Sequence, residues 1–477
     1  MDSTNLNYEQ NAEIGLFKEI FREQKLSFEK DKYPVLKSRK ESLNTLKKMI
    51  IDNQDLIIDA INQDFKSRAR QETITFEILP SVLTINYTLK HLKKWMAPQK
   101  RHVHLLFQPG SASIYYQPLG VVGVIVPWNY PLFLAMGPLI QALAAGNKVM
   151  IKMSEFTPHF SLLLKSLISQ YFDKNQISVI LGDALIASEF TQLPFDHLLY
   201  TGSTNIGKKV MAAAANNLTP VTLELGGKSP AIVCSNSNIH DAAEKIAYGK
   251  QVNAGQTCVA PDYVFIHKDK VTEFVTHYTN TIQAFYSNTV NNSDYTAIIN
   301  HIQNNRLRHY IEDAKSKGAT VTSILPEGAK IYVEPTLIQN VDDSMLIMQN
   351  EIFGPILPII TFDDLNQAID YINNRPRPLA LYLFSNNSND QNKVIHETHS
   401  GGMCINETVL HVGVDSLPFG GIGGSGMGHY HGYEGFITFS KVKSVYKKSF
   451  INLMKFLYPP YSQNTFFYQI LKKLFIK

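Results

Sequence analysis

The chain has 477 residues, 44% of them apolar and 18% charged, the profile of a soluble globular protein large enough for two or three cores. Its 45 basic residues against 41 acidic leave a net charge of +4, too mild to predict a nucleic-acid partner. Three cysteines (Cys234, Cys258 and Cys404) give no disulfide framework.

No apolar run reaches the ~18–20 residues that span a bilayer. Met1–Gln10 is polar and lacks a signal-peptide layout, so the expected location is cytoplasmic. No metal is expected. From about Leu16 to Met96 the pattern is helical: Val82, Ile85, Leu89, Leu92 and Met96 follow i, i+3, i+7, i+10 and i+14 and line one face. Residues 97–120 hold three prolines and glycine turns, which predicts an extended arm or hairpin.

The texture changes at Val121. VVGVIV is short and wholly apolar, as a strand buried in a parallel sheet must be, and Pro127 ends it. A helix is predicted from Leu132 to Ala145, stopped by Gly146-Asn147, and KVMIK starts a second strand. A helix near 159–172, strands near 178–181 and 196–201, a helix near 205–216 and a strand at 220–224 continue the alternation. Such units predict a doubly wound parallel sheet, whose ligands bind beyond the carboxyl ends of its strands.

After Gly227 a second series begins: AIVCS, a helix near 240–253, YVFIH at 263–267, a helix near 270–286, then strands at 336–340, 357–362, 379–385 and 403–407. This predicts a second α/β domain with its boundary near Leu225-Gly226-Gly227. From Asp415 the chain is glycine-rich, so its backbone turns tightly or passes close to another group. A basic, aromatic tail follows from Lys441 to Lys477. There Phe467, Ile470, Leu471, Leu474 and Phe475 fall at helical spacing beside Lys472, Lys473 and Lys477. That pattern suits packing on a partner subunit or weak contact with a membrane surface.

The residues able to carry chemistry follow strand ends. Cys258 sits among small and polar neighbours (Asn253, Gly255, Gln256, Thr257), unlike a core cysteine; it is either a buried small hydrophobe or a nucleophile activated by a nearby positive charge. Cys234 and Cys404 lie inside apolar strand runs and read as structural. Glu224 ends the apolar strand VTLEL before two glycines, where burial raises a carboxyl pKa toward that of a general base; a helix cap or salt bridge is the other reading. Asn129 in PWNYP is an oxyanion donor or a turn residue between prolines. Lys152 and Glu155 follow the second strand, where a dinucleotide enzyme meets its ribose, or they flank a cap at Ser154.

Gly202-Ser203-Thr204-Asn205-Ile206-Gly207-Lys208-Lys209 opens a helix and nearly matches a phosphate-binding P-loop, so an NTPase is the competing class. Lys209 stands where the metal-binding Ser/Thr belongs, which favours a pyrophosphate site without NTP hydrolysis. Glu351 and Phe353 precede a turn and read as nicotinamide-side contacts or a packed helix end.

In this order PWNYP, KMSE, YTGSTNIGK, LELGGKSP, NAGQTCVAPDY, NEIFGP and LPFGGIGGSGMG resemble the motifs of the aldehyde dehydrogenase family, over about residues 117–428. LTPVTLELGGKSP and GQTCVAPDY are most similar to the class 3 branch. YYQPLGVVGVIVPWNYP and SGMGHYHGYEGFITFSK are similar to the bacterial coniferyl aldehyde dehydrogenases within it. The resemblance implies two α/β domains with a β oligomerisation arm: 1–96 and 120–223 for NAD, 224–412 for catalysis, 97–119 and 413–477 as arm and tail.

It further implies a homodimer that oxidises an aromatic or aliphatic aldehyde with NAD, or NADP, through a cysteine thiohemiacetal and thioester. Cys258 matches the nucleophile, Glu224 the general base and Asn129 the oxyanion amide. Trp128, Lys152, Glu155, Gly202, Ser203, Gly207, Glu351 and Phe353 match the cofactor contacts, with Tyr130 and Tyr263 at the pocket. Met153 and Asn350 depart from the family's usual residues, as does Leu181-Gly182-Asp183. A non-enzymatic protein on this fold and a thiol esterase are the remaining alternatives.

Overall fold

The computed structural model describes residues 3–287, 289–329, 331–451 and 453–476. Of the terminal residues read above, Met1, Asp2 and Lys477 lie outside that set. The N-terminal part is helical as its periodicity predicts: Ser3–Lys30, Leu36–Asp52, Gln54–Phe65, and a rod from Arg70 to Met96 interrupted by one π turn at Ile74–Ile78. The buried face of the rod is rotated from the predicted stripe. Ile85 and Leu92 are buried, but with Thr84, Thr88 and Trp95, while Val82, Leu89 and Met96 are only half-buried. Hydrogen bonds explain the buried hydroxyls: Gln141 donates to Thr88 at 3.2 Å and Thr84 donates to Asp415 at 2.7 Å.

The proline-rich segment is a hairpin of β1 (Gln99–Arg101) and β2 (Ser111–Pro118). The first α/β sheet follows with β3 (Val121–Ile125), β4 (Lys148–Lys152), β5 (Ile177–Ile180), β6 (His197–Gly202) and β7 (Val221–Leu225). All five run parallel. Every residue of β3 is buried, which is why it is apolar without alternation. Gly123 lies at its centre, where an added Cβ would come within 2.8 Å of Leu198 and Phe195.

The second sheet takes β8 (Pro230–Val233), β9 (Tyr263–His267), β10 (Thr320–Ser323), β11 (Thr336–Gln339), β12 (Ile356–Phe362), β13 (Ala380–Phe384) and β14 (Gly402–Ile405). Of these β10, polar and mostly exposed, escapes a reading based on apolar runs. Its order is β10-β11-β12-β9-β8-β13-β14, parallel except for β10. The chain then returns. β15 (Gly426–Met427) adds antiparallel to β7, and β16 (Ser440–Lys447) pairs along β2 to complete a three-stranded arm.

Within the segment 413–477, expected to form arm and tail, β15 adds an edge to the first sheet. Gly426 pairs with Glu224, and a Cβ at 426 would collide with the Leu223 carbonyl, so only glycine lets this edge form. The tail ends in the helix Thr465–Phe475, which buries none of its side chains. Among the described residues no helix is long and apolar enough to cross a membrane.

Candidate active site

The carboxyl ends of β3, β6 and β7 open on one cavity of about 1170 Å³. In the first sheet the order β15-β7-β6-β3-β4-β5 reverses direction at β3. The crevice beyond β3 and β6 is therefore the switch point at which such sheets take ligands. Trp128 and Asn129 enter the cavity from beyond β3, Gly202 and Ser203 from the end of β6, and Glu224 from β7. Cys258, Glu351 and Phe353 line the same space from segments belonging to the second sheet.

Asn129 is buried and doubly clamped. Its main-chain oxygen accepts from Asn253 Nδ2 at 3.0 Å and Arg68 Nη1 at 3.2 Å, while its own Nδ2 donates to the Gln256 carbonyl at 3.1 Å. One amide proton remains for the cavity. Gln256 in turn donates to the carbonyls of Asn253 and Ala297 at 2.9 and 3.1 Å and accepts from the Ile299 N–H at 3.0 Å. This lattice holds an unusual turn, since Asn253 and Ala254 have φ of 53° and 52° and Gly255 has 72°. Each non-glycine residue there costs on the order of 1 kcal/mol, so the loop carrying Cys258 keeps its shape only because its polar groups are tied on several sides.

Cys258 is half-buried. Burial pushes its thiol up to about 12, and the carboxylates of Glu351 and Glu224 add to the rise. Glu224 is 3% exposed and neither of its oxygens has a hydrogen-bond partner among the described residues; desolvation raises it well above the ordinary carboxyl range. Glu351 is raised to about 8, first by desolvation and then by Asp262, while the Gly227 N–H hydrogen bond opposes the rise. Phe353 holds φ 49° and meets Trp128 edge-on at 5.4 Å.

Not every expected contact faces the cavity. Gly207 packs its helix against β7, where a Cβ would come within 2.6 Å of Leu225. Lys152 is buried and donates to the carbonyls of Met153 and Gly182, each at 2.7 Å, bracing one strand-end turn against the next. Glu155 is exposed beside it, outside the cavity lining. Tyr263 lines the cavity, whereas Tyr130 is buried behind it, bonded to the Thr257 hydroxyl at 2.7 Å. Cys234 is buried and its thiol is pushed up to about 12; Cys404 contacts His411 Nδ1 at 3.1 Å.

The cavity fits a dinucleotide. The helix Thr204–Ala215 begins at its wall, and its N-cap Ser203 makes no side-chain capping bond, leaving N–H groups for a phosphate. At Gly202 a Cβ would collide with the Tyr200 ring, so the backbone approaches bare. Among the described residues no cluster of His, Cys, Asp or Glu is arranged to hold a metal ion.

The profile of the aldehyde dehydrogenase family matches residues 18–445. The chain belongs to the aldehyde dehydrogenase family. It is an enzyme that oxidises aldehydes. It is 52% identical over 465 residues to a protein of Pseudomonas aeruginosa described as a probable coniferyl aldehyde dehydrogenase, covering 98% of this chain and 97% of that one. Its fold superposes on Staphylococcus aureus AldH in a substrate-bound state, with TM-score 0.91 and 39% identity over 95% of this chain and 99% of the other. A Mycobacterium tuberculosis aldehyde dehydrogenase complexed with NAD+ gives TM-score 0.81 and 28% identity, over 89% and 88% of the two chains. The P-loop reading of Gly202–Lys209 gives way to this assignment.

The frame of this aldehyde dehydrogenase's site includes residues the sequence reading passed over. Lys228 pairs with Asp262 and donates to the carbonyls of Ile347 and Asn350 at 2.7 and 3.0 Å. Asp262 accepts from the Ile352 N–H at 2.8 Å, and Arg306 donates to the Ile352 carbonyl at 2.8 Å. Together they shape the turn presenting Glu351 and Phe353. Lys228 and Asp262 lie inside motifs quoted above, beside a glycine and a proline, and were open to notice. Arg306 lies mid-helix and carries no local signal.

Proposed function

We propose that this enzyme oxidises an aromatic aldehyde of the coniferyl type to its carboxylic acid, with NAD as oxidant and NADP as an alternative. The observation that carries the reading is the meeting of Cys258, Asn129 and an unpartnered, buried Glu224 on one cavity at the switch point of the first sheet. The aromatic preference rests on the Pseudomonas relative.

In this reading Cys258 Sγ, once ionised, bonds to the aldehyde carbon. The oxygen that becomes negative is held by the free amide proton of Asn129 and the backbone N–H of Cys258. Bound NAD would supply a cationic ring, which favours the thiolate, and an acceptor for the hydride that the carbon gives up. Cys258 then carries the acyl group as a thioester. Glu224 takes a proton from water, whose oxygen bonds to the acyl carbon; the C–S bond breaks and the acid leaves. Aldehyde, water and NAD become acid, NADH and a proton.

Trp128, Gly202, Ser203, Glu351 and Phe353 line the dinucleotide path, with Gly207 packing behind it. Lys152, whose ammonium keeps a third N–H donor beyond those given to Met153 and Gly182, serves the adenosine ribose together with Glu155. Residues 1–96 and 120–223 form the NAD-binding domain, 224–412 the catalytic domain, and 97–119 with 413–477 the arm and tail, apart from Gly426–Met427. An aldehyde panel run with each dinucleotide tests the substrate. Coniferyl-type aldehydes are expected to exceed straight-chain aliphatic ones in kcat/KM by at least ~10-fold, and the reverse order would reject the aromatic assignment.

The same reading makes the protein a homodimer that adsorbs weakly on anionic membranes. Support for the dimer is the arm strand β16, which among the described residues pairs on one side only and exposes Val442 and Tyr446. For the membrane it is a stretch of 37 residues, 441–477, with eight lysines and no acidic residue, in which Phe466 and Leu474 are exposed. The full chain should sediment at twice 53.8 kDa and bind phosphatidylserine vesicles but not phosphatidylcholine ones. The double variant Lys472→Glu/Lys473→Glu should lose the vesicles and stay dimeric; equal binding to both lipids rejects the membrane contact.

A further inference from the structure

Behind the cavity lies a buried ion cluster that no step above uses: Arg68, Glu72 and Glu77. The side chains of Arg68 and Glu77 are fully buried and paired at 2.9 Å. The guanidinium lies between the rings of Phe65 and Tyr130, at 4.9 and 5.0 Å, and donates to the main-chain oxygen of Asn129 at 3.2 Å. The second oxygen of Glu77 accepts the N–H groups of Leu132 and Phe133 at 2.7 and 3.2 Å. One ion pair thus grips both ends of the turn carrying Asn129.

Glu72 lies 4.0 Å from Arg68 and serves the other loop. It accepts the Asn253 N–H at 3.1 Å and the Thr296 hydroxyl at 2.6 Å. The Asn253 amide closes the circuit by donating to Asn129 O at 3.0 Å. In a regular α-helix residues five apart stand about 140° around the axis. The π turn at Ile74–Ile78 brings Glu72 and Glu77 toward the same side, facing one arginine.

A buried ion pair is a poor device for stability, since apolar replacements of similar volume often do as well. What the arginine adds is direction: the rigid guanidinium aims one nitrogen, Nη1, at both the Glu77 carboxylate and the Asn129 carbonyl, while Nε and Nη2 have no hydrogen-bond partner among the described residues. We infer that Arg68 is a positioning residue for hydride release: by holding the Asn129 carbonyl it sets the Asn129 amide against Cys258, and so sets how well the developing oxyanion is held. The inference rests on the roles proposed for Asn129 and Cys258.

The test is single-turnover NADH formation by full-length Arg68→Lys and by the double variant Arg68→Met/Glu77→Gln, with cofactor affinity and thermal midpoint measured alongside. Lysine keeps the charge but loses the rigid planar head; the double variant removes the Arg68–Glu77 pair and leaves Glu72 held by Asn253 and Thr296. Both are expected to slow hydride release about 10–100-fold, with KM and cofactor affinity within about twofold of native. The double variant should recover thermal stability without recovering rate.

Native rates in folded variants, a rate that rises and falls with the thermal midpoint, parallel loss of cofactor binding, or failure of both variants to fold would each make Arg68 structural and overturn the inference. Cys258→Ala in the same assay separates the two levels. If it still forms NADH, the underlying site reading fails. If it does not, and Arg68→Lys is normal, only the role of Arg68 falls.

Discussion

Replacing Cys258 by alanine is expected to lower aldehyde-dependent NADH formation by about 10⁴-fold or more, the scale on which loss of a covalent nucleophile acts. Cofactor affinity should stay within about twofold, because the side chain is small and the dinucleotide path runs over other residues. No second thiol can substitute: Cys234 is buried at the end of β8, Cys404 contacts His411, and neither lines the cavity. With its thiol held near 12 by burial and two acidic neighbours, Cys258 should react slowly with iodoacetamide at neutral pH. The rate should climb with pH and rise when NAD is added, since a cationic ring lowers the pKa of an adjacent thiol. Undiminished turnover in the alanine variant would remove the covalent step from the reaction.

What the sequence discloses here is what is local. VVGVIV ends at a proline, and PWNYP stands at its carboxyl end, so both the strand and the placement of Asn129 follow from about ten consecutive residues. Glu224 is visible for the same reason, as an acid closing an apolar strand. Its isolation is not visible. That depends on Gly426 pairing across from it, some two hundred residues later, and on a glycine loop whose bare backbone fits against β7.

Arg68, Glu72 and Glu77 show the limit from the other side. In a helical run an Arg and a Glu four apart read as a solvated pair. Only the packing of two loops and one π turn makes them a buried hub. Lys152 shows its strand-end position in the sequence, but not the two backbone carbonyls, of Met153 and Gly182, to which its ammonium donates. The turn at Asn253-Ala254 is left-handed, with Asn253 and Gly255 as local hints and Ala254 giving none.

Replacing Glu224 by glutamine is expected to split the reaction into its halves. Attack by Cys258 and loss of hydride do not need the carboxylate, so a first equivalent of NADH should form at close to the native rate. Hydrolysis of the thioester does need it, and steady-state turnover should fall about 10²–10⁴-fold, the contribution of a positioned general base. Intact-protein mass spectrometry should then find the chain heavier by one acyl group on Cys258.

The pH dependence has a definite sign. Desolvation holds the Glu224 carboxyl protonated to higher pH than usual, so the basic form appears only as pH rises. Native thioester hydrolysis should therefore rise with pH along a limb that the glutamine variant lacks. The stability linkage points the same way: a carboxyl whose folded pKa is raised binds its proton more tightly in the native state. Above the unfolded value of about 4.3 it then costs stability as pH rises toward the folded pKa. Glutamine carries no charge to bury, so at about pH 7 the variant should melt no lower than native, which excludes unfolding as the cause of lost turnover. Unchanged steady-state rates with no acyl adduct would take the water-activating role away from Glu224.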